Sequence, residues 1–425
     1  MSTQARSQSY YWASANAWPQ HPTLQGDGHC DVCIIGAGMT GLTAALCLAK
    51  RGFGVTVIES RHVGFGASGR SGGQIIGGFN KGPYAMAKMV GHDDARALSA
   101  MAREAVADVK ARVHTHAIDC DLAAGHYHVG LKPRHRRELS AWQQEAAEFG
   151  DDQLQLITGA AVQDHVAGPK YTSALFDPDG GHLHPLNYTL GLAEAAQKAG
   201  VTIFENTAAT AIRHAPKPQI TTTGGTLSAD YLLICTNALI NGLEKMMDQM
   251  IMPVGTYIMA TKPLAGQRAA SLIANNAAVA DINFVLNYFR LSADRRMLFG
   301  GRVSYSRIDP SDIGKAMART MRFYFPQLSD AEVTHAWGGQ VAITVNRLPQ
   351  FGRLGPASFF AQGFSGHGVA LTGMAGKLMA EAVAGNAERF DVFHRIPHRR
   401  FPGGRLLRTP ALVLAMLYLR LRDML

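Results

Sequence analysis

Three glycines and one acid carry the first chemical signal. In DVCIIGAGMTGLTAALCLAK (31–50), Gly36, Gly38 and Gly41 follow an apolar run and open a stretch rich in Ala and Leu, and Glu59 follows Gly41 by 18 residues. Strand, glycine turn and helix form a seat for a pyrophosphate. The first glycine permits the tight turn, the second admits a ligand against the backbone, and the third lets helix pack on strand. The helix start adds N–H groups and the positive end of its dipole. An acid closing the next buried strand, residues 54–58, can bond ribose hydroxyls. A lone G-x-G-x-x-G is common, but here strands, spacing and acid coincide, so the stretch reads as dinucleotide-binding rather than as a structural turn with a surface acid.

Two more glycine clusters bear on which dinucleotide. GFGASGRSGGQ (64–74) intervenes before any further strand, where a nicotinamide dehydrogenase would continue with short strand–helix units. Such a loop can wrap a long flat ligand, its glycines admitting backbone against pyrophosphate and ring; the bland alternative is a mobile lid. FFAQGFSGHGVALTGMAGK (359–377) repeats strand, turn and helix with Gly363, Gly366 and Gly368 at the bend. Thr236 and Asn237 end the apolar strand YLLIC (231–235), at the carboxyl edge where open α/β sheets bind ligands.

The elements that must position these loops follow from periodicity. Residues 83–117 carry helical apolar spacing, 126–131 reads as a strand and 134–149 as a helix. GGHLHP (180–185) reads as a turn leading into a helix that runs to Gly200. A strand at 201–206 precedes a small antiparallel layer over 207–238. Strands around 251–264 and 283–302, the latter folded at LSADRRM, and a helix over 313–325 suggest a second sheet.

Composition narrows the class. The 425 residues are 47% hydrophobic and 17% charged, a balance for an ordered protein of two or three domains. The net charge of +9 is concentrated in the tail, where residues 395–425 hold seven arginines against one acid, Asp423. That distribution excludes a uniform nucleic-acid face. Five cysteines argue against a disulfide framework, and Cys30 and Cys33, three apart on a strand, are expected on opposite faces as buried thiols. No metal-ligand pattern stands out. The first 30 residues hold no signal-type apolar core, which indicates a cytoplasmic protein. The apolar, Arg-bearing stretch 410–425 is too short to span a bilayer; it is expected to pack on its own protein or a second subunit, with a peripheral membrane contact as the alternative.

Taken together, the fingerprint with Glu59, the GASGRSGGQ loop, GGHLHP, RLSADRRMLFGG and NRLPQFGR with QGFSGHG resemble the D-amino-acid oxidase / glycine oxidase superfamily of FAD enzymes. Within it the chain is most similar to oxidases of γ-glutamylated polyamines such as γ-glutamylputrescine, through SYY-ASAN, GFGASGR-GGQ, DCD, GGH-HPLN and FPGGR. The likeness runs from Ser9 to Leu421. It implies an α/β fold, a Rossmann-like FAD-binding domain of the glutathione-reductase type interleaved with an α+β substrate domain on a mixed sheet. The expected partition gives 1–88, 151–240 and 336–425 to the FAD domain and 89–150 and 241–335 to the substrate domain. By resemblance FAD would touch Gly36, Gly38, Met39, Thr40 and Gly41 at the first turn, Glu59 and Ser60 at the ribose, Gly66, Ala67, Ser68, Gly72, Gly73 and Gln74 along the ring, Thr236 and Asn237 at the sheet edge, and Gly363, Gly366, His367, Gly368 and Val369 at the pyrimidine end.

Departures sharpen the implied chemistry. Relatives with covalent FAD carry a histidine in the first loop or a cysteine near a later strand; here these read Ser68-Gly-Arg-Ser71 and Gln340-Val-Ala-Ile343, so FAD is expected without a covalent bond. Amino-acid oxidases place an arginine near the later strand, and none stands in 340–345, which favours an amine without an adjacent carboxylate. The implied reaction is oxidation of a primary amine by molecular oxygen to aldehyde, ammonia and hydrogen peroxide. A dehydrogenase for amines or secondary amino acids passing electrons to a quinone or carrier is the second class, and a non-catalytic flavin-binding or assembly protein the third. His184, His367, Tyr288 and Trp337 are the candidates to line the site, as base or as uncharged wall around the amine. The histidines could equally be turn residues bonded to backbone, and the two aromatics core. Arg290 or Arg302 could pair with a distal carboxylate, or be solvated strand charges.

Overall fold

The computed structural model describes residues 9–304 and 312–402, with the side chains of 302–304 outside that description. The stretch 410–425 therefore lies outside the described residues, and so does the side chain of Arg302.

Among the described residues, seventeen strands form two sheets. The eight-stranded sheet holds β1 (Gly28–Ile35), β2 (Val55–Ile58), β7 (Thr202–Phe204), β8 (Ala209–Arg213), β9 (Gln219–Thr222), β10 (Thr226–Ile234), β16 (Gln350–Gly355) and β17 (Ser358–Gln362). Its path runs β16-β17-β10-β1-β2-β7, with β9 pairing β10 and β8 pairing β9. Strand β1 is parallel to β2 and β10, and β10 to β17. In register, Ile35, Ile58, Ile234 and Phe360 stand abreast, so four connections leave the sheet along one edge. Val32, Cys33 and Ile34 are fully buried, as expected for a parallel strand covered on both faces.

Helix α1 (Met39–Ala49) covers one face of this sheet, with α2 (His92–Thr115), α4 (Pro185–Lys198) and α5 (Gly368–Val383) in the same apolar core. Helix α3 (Pro133–Glu148) belongs to a separate small cluster with Leu139 and Leu175. The helical pattern over 83–117 is broken into two helices at Gly91, whose φ of 88° no helix accommodates.

The nine-stranded sheet contains β3 (Gln74–Ile75), β4 (Ala123–Gly130), β5 (Gln155–Thr158), β6 (Ser173–His182), β11 (Ile251–Thr261), β12 (Ala278–Asp281), β13 (Tyr288–Leu291), β14 (Met297–Ser304) and β15 (Val333–Thr344). It is mixed: β12 and β4 are parallel, the other pairs antiparallel. Tyr127, Tyr257, Phe289, Phe299 and Phe325 fill the core on one face. The membership of β3, β6 and β15 carries stretches of 1–88, 151–240 and 336–425 into this second sheet.

Two local expectations are corrected. Gly180, Gly181 and His182 extend β6 instead of forming a turn; a Cβ on Gly181 would come within 2.4 Å of the Ala123 carbonyl oxygen, so glycine is what lets β4 approach. Cys30 and Cys33 lie in one apolar cluster, not on opposite faces. The N–H groups of Asp31 and Val32 both donate to the Gly54 carbonyl, at 3.0 and 3.1 Å, so the backbone departs from strict alternation between the two cysteines. Both thiols are free.

Candidate functional site

The edge where β1, β2, β10 and β17 end converges on the first glycine turn. Gly36 has φ of 110°, and a Cβ there would lie 2.9 Å from the Cys235 carbonyl oxygen; on Gly41 it would lie 2.1 Å from the Gly36 carbonyl oxygen. Only glycine closes this turn. The Met39 N–H at the start of α1 donates to Ser68 Oγ (3.0 Å), so the second loop folds over the first. Thr40 is buried in α1. Glu59, one residue past β2, accepts from the Ala37 N–H (3.1 Å), the Arg61 N–H (2.9 Å) and the Ser60 hydroxyl (3.1 Å). Burial raises its pKa above the usual carboxylate range, against these hydrogen bonds.

The second loop is held from below. Ala67–Gly69 is a 3₁₀ turn starting after Gly66, and the Thr189 hydroxyl, which donates to the Pro185 carbonyl at 2.7 Å, lies 3.3 Å from the Ser68 carbonyl oxygen. Gly73 has φ of 70° and no room for a Cβ, which would meet the Leu183 carbonyl oxygen at 2.1 Å. At the end of β10, Asn237 Oδ1 accepts from the Gly363 N–H at 2.9 Å, tying β10 to the last glycine turn, while the buried Thr236 Oγ1 has no hydrogen-bond partner in the described structure. The close backbone approach at Gly36 and Gly41 and the orphaned hydroxyl beside Gly36 fit a dinucleotide seat.

Between the loops and the nine-stranded sheet opens a cavity of about 600 Å³, the volume of a small-molecule site. Gly72, Gly73, Gln74, Tyr288, Gly366, His367 and Val369 line it. The remaining expected contact positions lie outside its wall. The Gln74 amide donates to the Val279 carbonyl at 3.0 Å and its oxygen meets His126 Nε2 at 3.3 Å. Tyr288 stands between two glycines: a Cβ on Gly72 would come within 2.8 Å of its ring and one on Gly300 within 2.1 Å. Burial pushes the Tyr288 hydroxyl pKa up. His367, at the N-cap position of α5, is pushed down to about 4 by burial, so it is neutral at physiological pH.

The other expected site residues are elsewhere. His184 is 2% exposed and caps α4: its Nδ1 accepts from the Asn187 N–H at 3.1 Å and its Nε2 meets Ser14 Oγ at 3.1 Å. Burial, then Arg290, lowers its pKa to about 3. Trp337 is core, 2% exposed, its Nε1–H donating to the Arg70 carbonyl at 3.0 Å. Arg290 is neither solvated nor in the cavity wall. It is 3% exposed and donates to the carbonyls of Gly72 (2.8 Å) and Leu183 (2.9 Å) and to the Tyr11 hydroxyl (3.2 Å). Arg302 lies on β14.

Several wall residues escaped sequence reasoning. Asp177 is pushed up to about 6 by burial, with Asp151 adding repulsion, and both line the cavity. Asp281, also pushed to about 6 by burial, accepts from the Asn287 side chain (2.7 Å) and from the Asn287 and Asn283 N–H groups (3.1 Å each). His128 packs against Trp142 with ring centroids 4.4 Å apart and planes tilted by 45°. Arg347, two residues beyond the arginine-free window 340–345, enters the wall over the Phe284 ring at 4.6 Å. Asn80 lies in GGFNKG (77–82), a glycine-dense stretch that was itself the available signal. The cavity thus joins carboxylates, a guanidinium and an aromatic wall, enough to orient a small polar ligand with charge of both signs.

Among the described residues, no helix is long and apolar enough to cross a membrane. Comparison with known proteins places the site in a lineage. The model of the DAO family, FAD dependent oxidoreductase, matches residues 31–382. The gamma-glutamylputrescine oxidoreductase of Escherichia coli K12 is 40% identical over 416 residues, 98% of each chain. The fold resembles L-proline dehydrogenase from P. horikoshii (TM-score 0.71, 21% identity, 87% of this chain and 98% of that one). It also resembles glycine oxidase from Bacillus cereus (TM-score 0.70, 20% identity, 87% and 99%).

Proposed function

This chain belongs to the DAO family of FAD-dependent oxidoreductases, and on that premise we propose that it oxidises a primary amine, a γ-glutamylated polyamine such as γ-glutamylputrescine. The balanced reaction consumes amine, water and molecular oxygen and yields aldehyde, ammonia and hydrogen peroxide. The observation that carries this reading is the 40% identity to the Escherichia coli oxidoreductase over 98% of both chains. The cavity supports it: Asp151 and Asp177 suit an ammonium, and Arg347 suits a carboxylate such as that of a glutamyl group.

FAD, when bound, supplies the two-electron acceptor for the amine. The chain's part is to hold and orient. In this reading the turn Gly36–Gly41 with Met39 and Thr40 seats the pyrophosphate, and Glu59 with Ser60 meets the ribose. Residues 66–68 and 72–74, with Thr236 and Asn237, flank the ring, and 363–369 closes the far end, with the start of α5 directing its positive dipole there. No side chain supplies a covalent link. Tyr288, His128 and Trp142 exclude water around the amine, which must be neutral to react.

The test is anaerobic bleaching of the flavin absorption by putrescine, γ-glutamylputrescine, cadaverine, spermidine, sarcosine and glycine. Bleaching by γ-glutamylputrescine first, followed under air by stoichiometric peroxide, is the expected outcome. Bleaching by glycine or sarcosine alone overturns the substrate class. Turnover that needs a quinone and leaves no peroxide makes the protein a dehydrogenase.

A further inference from the structure

His367 is the one histidine of the sequence-derived site that reaches the cavity, and its environment fixes which of its nitrogens carries the proton. The Asn80 side-chain nitrogen donates to the Ser365 carbonyl and lies 2.8 Å from His367 Nδ1. A carboxamide nitrogen, not its oxygen, must face a carbonyl, so the orientation of the Asn80 amide is set by Ser365. The second hydrogen of that NH2 then points at Nδ1, which can only accept. The ring proton is left on Nε2. That nitrogen meets no protein partner among the described residues, and the ring lines the cavity.

The turn that carries the ring is rigid. Ser365 has φ of 52°, its N–H donates to the Ala342 carbonyl (3.1 Å), its hydroxyl donates to the Gly363 carbonyl (3.0 Å), and the His367 N–H donates to the Phe364 carbonyl (3.0 Å). A second proton on the ring would require Nδ1 to donate toward an N–H group, and the positive end of α5 adds to the penalty. Burial acts in the same direction.

We propose that Asn80 is a positioning residue that locks His367 as its Nε2–H tautomer, making His367 a neutral hydrogen-bond donor to an acceptor atom of the bound flavin or amine substrate. His367 is then no base: in the neutral range it has a proton to share and no lone pair facing the ligand. The donor role rests on the proposed amine-oxidising site; the tautomer does not, and it is measured without substrate.

The experiment is ¹⁵N NMR of the holoenzyme carrying labelled histidine, with H367Q identifying the resonances. The wild type is expected to show an unprotonated Nδ1 and a protonated Nε2 from pH 6 to 9. In N80D the carboxylate accepts from Nδ1–H, and the pattern is expected to invert. A wild-type Nδ1–H signal, or an imidazolium, overturns the proposal even if every amine is turned over. Two arms locate the acceptor. A donor to flavin predicts that H367A shifts the substrate-free flavin spectrum and lowers FAD affinity about ten-fold. A donor to substrate predicts an unchanged spectrum and a KM raised about ten-fold with kcat little affected. If H367A moves neither, the donor role is wrong.

Discussion

Ser68 Oγ accepts a hydrogen bond from the Met39 N–H at 3.0 Å, and it is the same atom that a Cβ on Gly38 would approach to 2.8 Å. One hydroxyl therefore closes the helix start and forbids a side chain on the second glycine of the fingerprint. The two demands can be separated. G38A is expected to lower both the melting temperature of the apoprotein and its FAD affinity. Adding S68A removes the colliding oxygen, so the double variant recovers stability over G38A, the coupling being about 1 kcal/mol. FAD affinity stays low, because the added methyl still occupies the path of the pyrophosphate. Thermal unfolding and flavin titration of the four proteins check this. Recovery of both properties together would mean that Gly38 serves only the protein.

Arg290 holds the cavity loop from beneath through the Gly72 and Leu183 carbonyls. Lysine lacks the planar fork and cannot serve both acceptors with the Tyr11 hydroxyl. R290K is expected to lose about 2–4 kcal/mol of stability, from unsatisfied buried acceptors. It should also retain FAD less well. KM should change by the same factor for substrates with and without a carboxylate. A selective loss for the carboxylate-bearing amine would restore Arg290 to the binding site.

Asp281 is 2% exposed, and burial raises its pKa from 3.8 to about 6. Below pH 3.8 both folded and unfolded chains hold the proton and the group costs nothing. As pH rises the unfolded chain releases it first, so the folded state loses stability until pH passes about 6. At about 1.4 kcal/mol per pKa unit the ceiling is roughly 3 kcal/mol. D281N does not titrate. Whatever its offset, the stability of D281N minus that of wild type is therefore expected to rise from pH 4 to pH 7. Urea midpoints at four pH values check the slope, and a flat or falling difference refutes it.

What could be read before the fold was known was chemistry confined to neighbouring residues. The turn at Gly36 and Gly41 and the acid at Glu59, whose carboxylate accepts from the Ala37 N–H of that turn, lie in one strand–turn–helix unit, so their mutual placement could be read from spacing. His184, Trp337 and Arg290 depend on which way a side chain leaves its element, and that direction is set by partners far along the chain: Ser14, Arg70 and Gly72. Cys30 and Cys33 show the limit of strict alternation, since Asp31 and Val32 share the Gly54 carbonyl and the two thiols end in one apolar cluster. Asn80 has no meaning as a loop asparagine until Ser365 and His367, 285 and 287 residues away, come beside it. Arg347 was lost to a window that stopped at Val345, because a turn at φ of 62° brings it back into the wall.

Tyr288 and Gly300 are opposite residues of β13 and β14, and the missing side chain of Gly300 is where the tyrosine ring lies. Gly72 leaves the matching space on the loop side, so two glycines set how far the ring projects into the cavity. A methyl at 300 would start 2.1 Å from Cε2 and must displace the ring. G300A is therefore expected to raise KM for the amine at least ten-fold while the bound flavin keeps its absorption, since β14 carries none of the positions assigned to the cofactor. Y288F keeps the ring in place and removes only the hydroxyl, whose pKa burial pushes up. It remains protonated at working pH, so Y288F should leave the ionisation limbs of kcat/KM below pH 10 where they are in wild type. If Y288F instead abolishes a limb near neutrality, Tyr288 takes part in proton transfer and the wall role fails. If G300A alters the flavin spectrum and leaves KM alone, the ring packs on the cofactor and not on the substrate.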